Sequence, residues 1–166
     1  KNLFSLERLP RHLVILGAGP IGSEMGQAFR RLGAEVTIID RADQILVKED
    51  RDLADQLKSV MEQEGVRFYL RSTVSRVGEQ SGEKFVEVDG PEKVTLHCDA
   101  LLVSMGRVPN TGGLGLDRIG VERHRGGIAV DRRLRSSHKH IYGAGDVIGG
   151  YLFTHAGGYE GAIAVV

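Results

Sequence analysis

Residues 13–24, with the sequence Leu-Val-Ile-Leu-Gly-Ala-Gly-Pro-Ile-Gly-Ser-Glu, decide the fold of this chain. The residues from His12 to Leu16 predict a buried strand, because a short apolar run that stops at a glycine is typical of one. Beyond the glycines, apolar residues recur at helical spacing until Gly33, namely Ile21, Met25, Ala28, Phe29 and Leu32. The stretch therefore predicts a strand, a glycine turn and a helix with an apolar stripe.

The turn has the pattern G-x-G-x-x-G and consists of Gly17, Ala18, Gly19, Pro20, Ile21 and Gly22. In such a turn the first glycine permits the tight bend, the second lets a pyrophosphate approach the backbone, and the third allows close helix–strand packing. The following helix offers unpaired N–H groups and its positive dipole end to the phosphates. A second strand at 35–40 completes a βαβ unit and ends in Asp40. This context predicts a dinucleotide-binding site rather than a purely structural turn.

Asp40 is placed to accept hydrogen bonds from both hydroxyls of the adenosine ribose, and its charge would repel a 2′-phosphate. The sequence therefore favours NAD over NADP as the cofactor. Arg41 leaves two interpretations open, because its guanidinium could turn toward a phosphate or remain a solvated surface group.

The rest of the first two thirds of the chain predicts an α/β fold of the Rossmann type. A helix is expected at 49–64, with Leu53, Leu57, Val60 and Met61 on one face, and a strand at 66–69. Three segments then alternate apolar and polar residues, at 73–77, 84–89 and 94–98. They predict an antiparallel three-stranded β-meander, after which residues 100–103 resume the parallel sheet.

The remaining residues predict little regular structure. A glycine-rich loop is expected from 107 to 127, followed by short strands near 128–130 and 140–143. This tail is too short to predict a core of its own, so we expect disorder or packing against another copy of the chain in a homo-oligomer. The expected domains are 1–110 and 111–166.

Composition excludes several classes of function. Lys plus Arg and Asp plus Glu both number 22, so no strong net charge attracts nucleic acid or a membrane surface. Apolar runs are too short to span a membrane, and the single cysteine, Cys98, fits a reducing, cytoplasmic setting. His138 and His140 lack a metal-specific spacing, so we assign no metal ligands.

Three stretches together, 13–24, 104–121 and 141–147, resemble the pyridine nucleotide-disulfide oxidoreductases. This is the flavoenzyme family that includes lipoamide dehydrogenase, glutathione reductase and mercuric reductase. The resemblance covers nearly the whole chain, and the meander matches the NAD domain of that family.

The resemblance implies roles that the residues alone do not. Glu24, by itself a surface or helix-dipole carboxylate, matches a glutamate close to the nicotinamide. Val74 falls in a stretch whose backbone contacts the adenine, and Gly106 matches a glycine approached by the nicotinamide half.

The last of the three stretches resembles a flavin motif. In that motif the aspartate, here Asp146 after Gly145, binds the ribityl and diphosphate region of FAD. Leu152, Phe153, Thr154 and His155 align with a helix start whose backbone lies beside the flavin. Without the resemblance, Asp146 would be interpreted as a helix cap.

The family's N-terminal FAD motif, its redox CxxxxC and its C-terminal His-Glu pair do not occur in this sequence. We therefore assign no catalytic residue and expect an enzyme portion that positions NADH to pass a hydride to FAD, inactive on its own. The remainder of the flavoenzyme would be its partner. Two alternatives stay open: a stand-alone nucleotide-binding or redox-sensing module, and a flavin reductase or oxidase that lacks the dithiol.

Overall fold

A computed structural model describes residues 3–165 of the chain. The fold divides into an N-terminal unit, Lys1–Gly106, and a C-terminal unit, Arg107–Val166, whereas the sequence predicts the division after residue 110. Each unit is described separately. None of the helices within residues 3–165 combines the length and the apolar character that crossing a bilayer requires.

The N-terminal unit is a βαβ-type domain with an inserted meander. After a short 3-10 turn at Leu3–Ser5, its elements in chain order are β1 (His12–Leu16), α1 (Pro20–Arg31), β2 (Glu35–Ile39), α2 (Arg51–Gln63), β3 (Val66–Tyr69), β4 (Thr73–Gln80), β5 (Glu83–Asp89), β6 (Val94–Cys98) and β7 (Ala100–Val103). Four strands pair in parallel in the order β3-β2-β1-β7, and β4-β5-β6 form a separate antiparallel sheet. The predicted Rossmann-like fold with a three-stranded meander is confirmed.

The two faces of the parallel sheet are covered by different layers. Alternate residues of a strand point to opposite faces, so Leu13 and Ile15 of β1 join a core with Ala54 and Met61 of α2, against which Phe29 of α1 packs. Their neighbours Val14 and Leu16 join a second core with residues of the meander, including Val86, Val88, Leu96 and Cys98. The meander therefore takes the place of a helical layer on that face.

Helix α1 packs on the sheet through small residues, not through the predicted apolar stripe. Its buried residues are Gly22, Ser23 and Gly26, whereas Ile21 is 41% exposed and Leu32, just past the helix, is 68% exposed. A Cβ atom at Gly26 would lie 2.7 Å from Cδ1 of Ile38, which explains why this position lacks a side chain. Phe29 of the predicted stripe packs partly against the core, but the stripe as a whole is not the packed face, because close approach of the backbones replaces large apolar contacts here.

Helix α2 buries Ala54 and Met61, and Leu57 packs partly against the same core. Leu53 and Val60, which the sequence places on the same face, are 59% and 44% exposed. Of the four apolar residues predicted on one face of α2, only Leu57 and Met61 therefore pack against the core.

Arg30 joins the C-terminal ends of both helices. Its Nε donates to the carbonyl oxygen of Glu64 at 2.7 Å, and its Nη1 donates to the carbonyl oxygen of Ala34 at 3.0 Å. Gly65 leaves room for this guanidinium, since a Cβ there would lie 2.8 Å from Arg30 Nε. The bonds satisfy a carbonyl at the end of α2 that has no intrahelical partner.

Asp99 fixes the start of the central strand. Its carboxylate accepts hydrogen bonds from the backbone N–H groups of Arg11 (2.9 Å) and His12 (2.8 Å). Desolvation raises the pKa of Asp99, but these hydrogen bonds together outweigh it, so the pKa of Asp99 lies below its usual range. The folded state therefore favours the ionised form.

The C-terminal unit has short elements around a small core of its own. They are β8 (Arg123–His124), β9 (Gly127–Ile128), a 3-10 turn at Gly145–Ile148, and α3 (Thr154–Val165). Leu116, Val121 and Ile128 are buried together, with Val130 and Ile141 packed against them. The expectation of a tail without a core was wrong, because Leu116 and Val121 come from loops, Ile128 comes from a two-residue strand, and the three follow no period. An oligomer remains a prediction.

We predict that Arg30→Met destabilises the fold by about 2–4 kcal/mol, because two hydrogen bonds from a charged donor are lost while the aliphatic stem is kept. Urea denaturation followed by circular dichroism measures the effect. Arg31→Met is the matched control, since Arg31 makes an exposed ion pair with Glu64, and it should have the smaller effect. An equal effect of both changes would contradict the role given to Arg30.

We also predict that the stability difference between the native chain and Asp99→Asn depends on pH. Because the pKa of Asp99 is lowered in the folded state, its contribution is present above its unfolded pKa and is lost as pH falls through the folded value. Urea titrations at neutral pH and below about pH 4 measure it. Glu92→Gln changes an exposed carboxylate and should show no such dependence. A stability difference between the native chain and Asp99→Asn that grows on acidification would refute the prediction.

Candidate dinucleotide-binding site

The glycine turn is shaped by contacts that exclude side chains. Gly17 has φ +103° and donates its N–H to the carbonyl oxygen of Ile39 at 2.8 Å. A Cβ at Gly22 would overlap the carbonyl oxygen of Gly17. The end of β1 and the start of α1 can meet only because both positions are glycine.

Gly19 differs from the other two glycines of the turn, because the space beside it is open. It is the N-cap of α1, with φ −73° and ψ −173° and no side-chain cap. No atom lies within 4 Å of the position that a Cβ would occupy. Pro20 follows at the first helical position, where its missing N–H costs nothing. Open space therefore lies at a helix N-terminus, where anions are stabilised.

Ser104 supports the turn from the neighbouring strand, a role that the sequence did not reveal. Its Oγ lies 2.9 Å from the carbonyl oxygen of Leu16 and 3.1 Å from that of Gly17, and donates its one proton toward them. Its N–H also donates to Leu16 at 2.8 Å. Because β7 is the parallel neighbour of β1, the carboxyl end of β7 lies beside the turn. The order of the strands was the one signal that could have identified Ser104.

Asp40 is tied to the turn through the backbone. One carboxylate oxygen accepts from the N–H of Ala18 at 2.7 Å, and the other accepts from the N–H of Ala42 at 2.8 Å. The side chain is half-buried. Each carboxylate oxygen can accept a second hydrogen bond, so Asp40 is held in place and keeps acceptor capacity for a ligand.

The loop after Asp40 is held by two residues with left-handed backbone. Leu46 (φ +48°) donates its N–H to Ala18 at 2.9 Å, and Arg71 (φ +52°) donates its N–H to Ala42 at 2.8 Å. Asp43 contacts Arg51 at 3.0 Å, and this hydrogen-bonded guanidinium lowers the pKa of Asp43. Arg41 is exposed and forms no ion pair within residues 3–165. Its two interpretations therefore stay open.

Three further predicted residues differ in their burial. Val74 is half-buried on β4, just after Ser72, whose N–H donates to the carbonyl oxygen of Asp40 at 2.9 Å. Gly106 is exposed, has φ +124° and follows two residues after Ser104. Glu24 is exposed on α1, and no hydrogen bond or ion pair joins it to the turn in the described chain.

The C-terminal unit holds the second set of predicted residues. The carboxylate of Asp146 forms an ion pair with Arg107, and the N–H of Gly145 donates to Oε2 of Glu160 at 2.7 Å. Leu152 and Phe153 precede α3, which begins at Thr154, and the Phe153 ring stacks on His155 at 5.5 Å. Sequence patterns assign no role to Arg107 or Glu160, since their partners Asp146 and Gly145 lie 39 and 15 residues away.

Other reactive groups do not assemble into a site. Burial raises the pKa of the Cys98 thiol, which keeps it protonated within the meander core. In the part of the chain that the structure describes, no three His, Cys, Asp or Glu side chains converge as a metal site would require.

Comparison with known proteins places this geometry in a family. The family model described as pyridine nucleotide-disulphide oxidoreductase matches residues 1–161. Dihydrolipoyl dehydrogenase of Bacillus subtilis (strain 168) is 38% identical over 164 residues, which cover 99% of this chain and 36% of that protein. Mercuric reductase of Bacillus cereus is 35% identical over 167 residues, covering 98% of this chain and 26% of that protein.

Solved structures agree with these sequence relatives. The HOCl-induced flavoprotein disulfide reductase RclA from Escherichia coli, solved as a Cu(II) complex, superposes with a TM-score of 0.89 and 36% identity. The match covers 98% of this chain and 36% of that one. The chain thus spans 26% to 36% of the length of these proteins. A family match across nearly all its residues, together with the same fold, means that the chain belongs to the pyridine nucleotide-disulphide oxidoreductase family.

Proposed function

We propose that the N-terminal unit binds NADH at the glycine turn. The observation that carries this proposal is the open space beside Gly19 at the N-terminus of α1, bordered by the anchored carboxylate of Asp40. A diphosphate there would accept hydrogen bonds from backbone N–H groups, and the positive end of the helix dipole would stabilise its charge. The hydroxyl groups of the adenosine ribose would donate hydrogen bonds to the carboxylate of Asp40, which has free acceptor capacity.

The proposed preference is for NAD over NADP. A 2′-phosphate would approach a carboxylate that two backbone N–H groups hold in position, so Asp40 cannot easily turn away from it. Arg41 could offset part of this repulsion. Val74 and Gly106 would contact the adenine and nicotinamide halves, and Glu24 would lie near the nicotinamide.

We further propose that residues 111–166 contribute to an FAD site, with 1–110 as the NAD domain. The residues present fit such a role. Gly145 has φ +76°, and a Cβ there would lie 3.6 Å from the Cα of Gly157, so its backbone lies against α3. The Asp146 side chain is 43% exposed and can therefore reach a ligand.

In the full-length protein, FAD would supply the acceptor for a hydride from NADH. The residues of this chain would bind and orient the donor through Gly17–Gly22 and Asp40, and would hold the flavin through Gly145, Asp146 and the residues from Leu152 to His155. The reaction class follows from the family. The final electron acceptor would be determined by other parts of the protein.

We predict that Gly19→Ala weakens NADH binding without destabilising the fold. Alanine suits the backbone of Gly19, whose φ is −73°, and its methyl group meets no atom of the chain within 4 Å. The methyl group would occupy the space proposed for the diphosphate, so we expect at least a roughly tenfold loss of affinity, about 1.4 kcal/mol. Calorimetry with NADH and thermal unfolding measure the two effects.

Gly112→Ala is the matched control, because Gly112 also has open space around it but lies outside the turn. It should alter neither binding nor unfolding. Unchanged NADH binding in Gly19→Ala would rule out the proposed diphosphate position, and absence of heat with the native protein would rule out NADH binding altogether.

We predict that the native protein binds NADH more tightly than NADPH, and that Asp40→Asn reduces this preference about tenfold or more. The substitution removes the repulsive charge and weakens acceptance from the ribose hydroxyls. Calorimetry with both cofactors gives the ratio of affinities, and Asp52→Asn, at an exposed position in the first turn of α2, is the control. Tighter binding of NADPH to the native protein would refute the role of Asp40.

A further inference from the structure

We infer that Glu160 is a positioning residue for the flavin site, holding together the two stretches proposed to contact FAD. These are the turn at Gly145 and Asp146 and the start of α3 at 152–155. The inference rests on the proposed flavin role of the C-terminal unit, but neither the sequence motif nor the family match assigns a task to Glu160.

The contact itself is a charge-assisted hydrogen bond. Oε2 of Glu160 accepts the backbone N–H of Gly145 at 2.7 Å, across 15 residues of sequence, and the pair is partly buried. Gly145 has φ +76°, in the left-handed region that favours glycine. The carboxylate therefore holds the peptide between Ala144 and Gly145, one residue before Asp146.

Helix α3 has little else to hold it against this turn. Its sequence, THAGGYEGAIAV, contains three glycines and no buried residue, and glycine is a poor helix former. Gly157 lies one turn before Glu160, and a Cβ there would be 3.1 Å from the Cα of Gly145. Gly157 thus permits the close approach, and Glu160, on the same face, supplies the polar contact.

The second carboxylate oxygen lies beside the connection between the two stretches. Oε1 of Glu160 is 4.0 Å from the position that a Cβ of Gly150 would occupy. One side chain therefore contacts the turn at 145, borders the connection at 150, and belongs to the helix that starts at Thr154. Displacing it would change the position of Asp146 relative to Leu152, Phe153 and His155.

The same bond determines how the turn could hold a flavin. Because Glu160 occupies the N–H of Gly145, this N–H is not available to a flavin, and the carboxylate of Asp146 is the side chain of the turn that would contact it. Arg107 balances the charge of Asp146, so two neighbouring carboxylates are tolerated. Glu160 acts through Gly145 and does not itself contact the flavin.

The test uses the natural full-length protein, as holoenzyme and after removal of FAD. The dissociation constant of FAD is measured by reconstitution, alongside the visible circular dichroism of the bound flavin and the dissociation constant of NADH. Glu160→Ala should weaken FAD binding about 10- to 100-fold and alter the flavin spectrum, without changing NADH binding. Glu160→Gln, which keeps an oxygen acceptor, should restore FAD binding to within about threefold. Glu122→Ala removes an exposed carboxylate of the same unit and should match the native protein.

The outcomes separate this inference from the proposed function. Native protein without FAD, or Asp146→Asn with unchanged FAD affinity, would overturn the flavin role itself. If Asp146→Asn weakens FAD binding and Glu160→Ala does not, only the role of Glu160 is overturned. Equal weakening of FAD and NADH binding by Glu160→Ala would overturn that role as well. If Glu160→Ala fails to fold, Glu160→Asp replaces it, because the shorter side chain withdraws the acceptor. A loss of about fivefold or more in FAD affinity then supports the inference, and an unchanged affinity overturns it.

Discussion

The close contact between Gly17 and Gly22 is the constraint on which the rest of the N-terminal unit depends. The carbonyl oxygen of Gly17 occupies the space that a Cβ of Gly22 would need, so α1 begins directly against the end of β1. Gly26 continues this approach one turn later, against Ile38 of β2. A helix this close to the sheet directs its N-terminus into the open space beside Gly19, and the fold and the proposed binding site therefore share one cause.

Polar contacts keep the turn in shape without requiring a ligand. Ser104 holds the carbonyl oxygens of Leu16 and Gly17 from one side, and Asp40 holds the N–H of Ala18 from the other. Both side chains follow the carboxyl ends of strands adjacent to β1, where ligands bind in open parallel sheets. A turn anchored from two sides would lose little conformational freedom when a ligand binds, so the entropic cost of binding would be small. Asp40 would thus serve the cofactor twice, by shaping the turn and by facing the ribose.

How much the sequence could predict follows from the range of the interactions. The strand, turn and second strand of residues 12–40 were predictable because their signals are local: an apolar run, three spaced glycines and a terminal acid. The packed face of α1 was not, since Gly22 and Gly26 carry no hydropathy signal and Ile21 remains exposed. The small core around Leu116, Val121 and Ile128 follows no period. Ser104 and Glu160 act on partners 87 and 15 residues away, which no local pattern reveals.

The two units differ in what makes their sites rigid. The N-terminal unit sets its turn with a four-stranded sheet and two buried cores, so loss of any one polar contact leaves most of the geometry in place. The C-terminal unit has one small core, and α3 has no buried residue. Its turn at Gly145 therefore depends on individual side chains, Glu160 on the backbone and Arg107 on Asp146. Where packing is sparse, a single hydrogen bond carries more of the geometry, and the positions proposed to hold the flavin are for that reason the more sensitive to substitution.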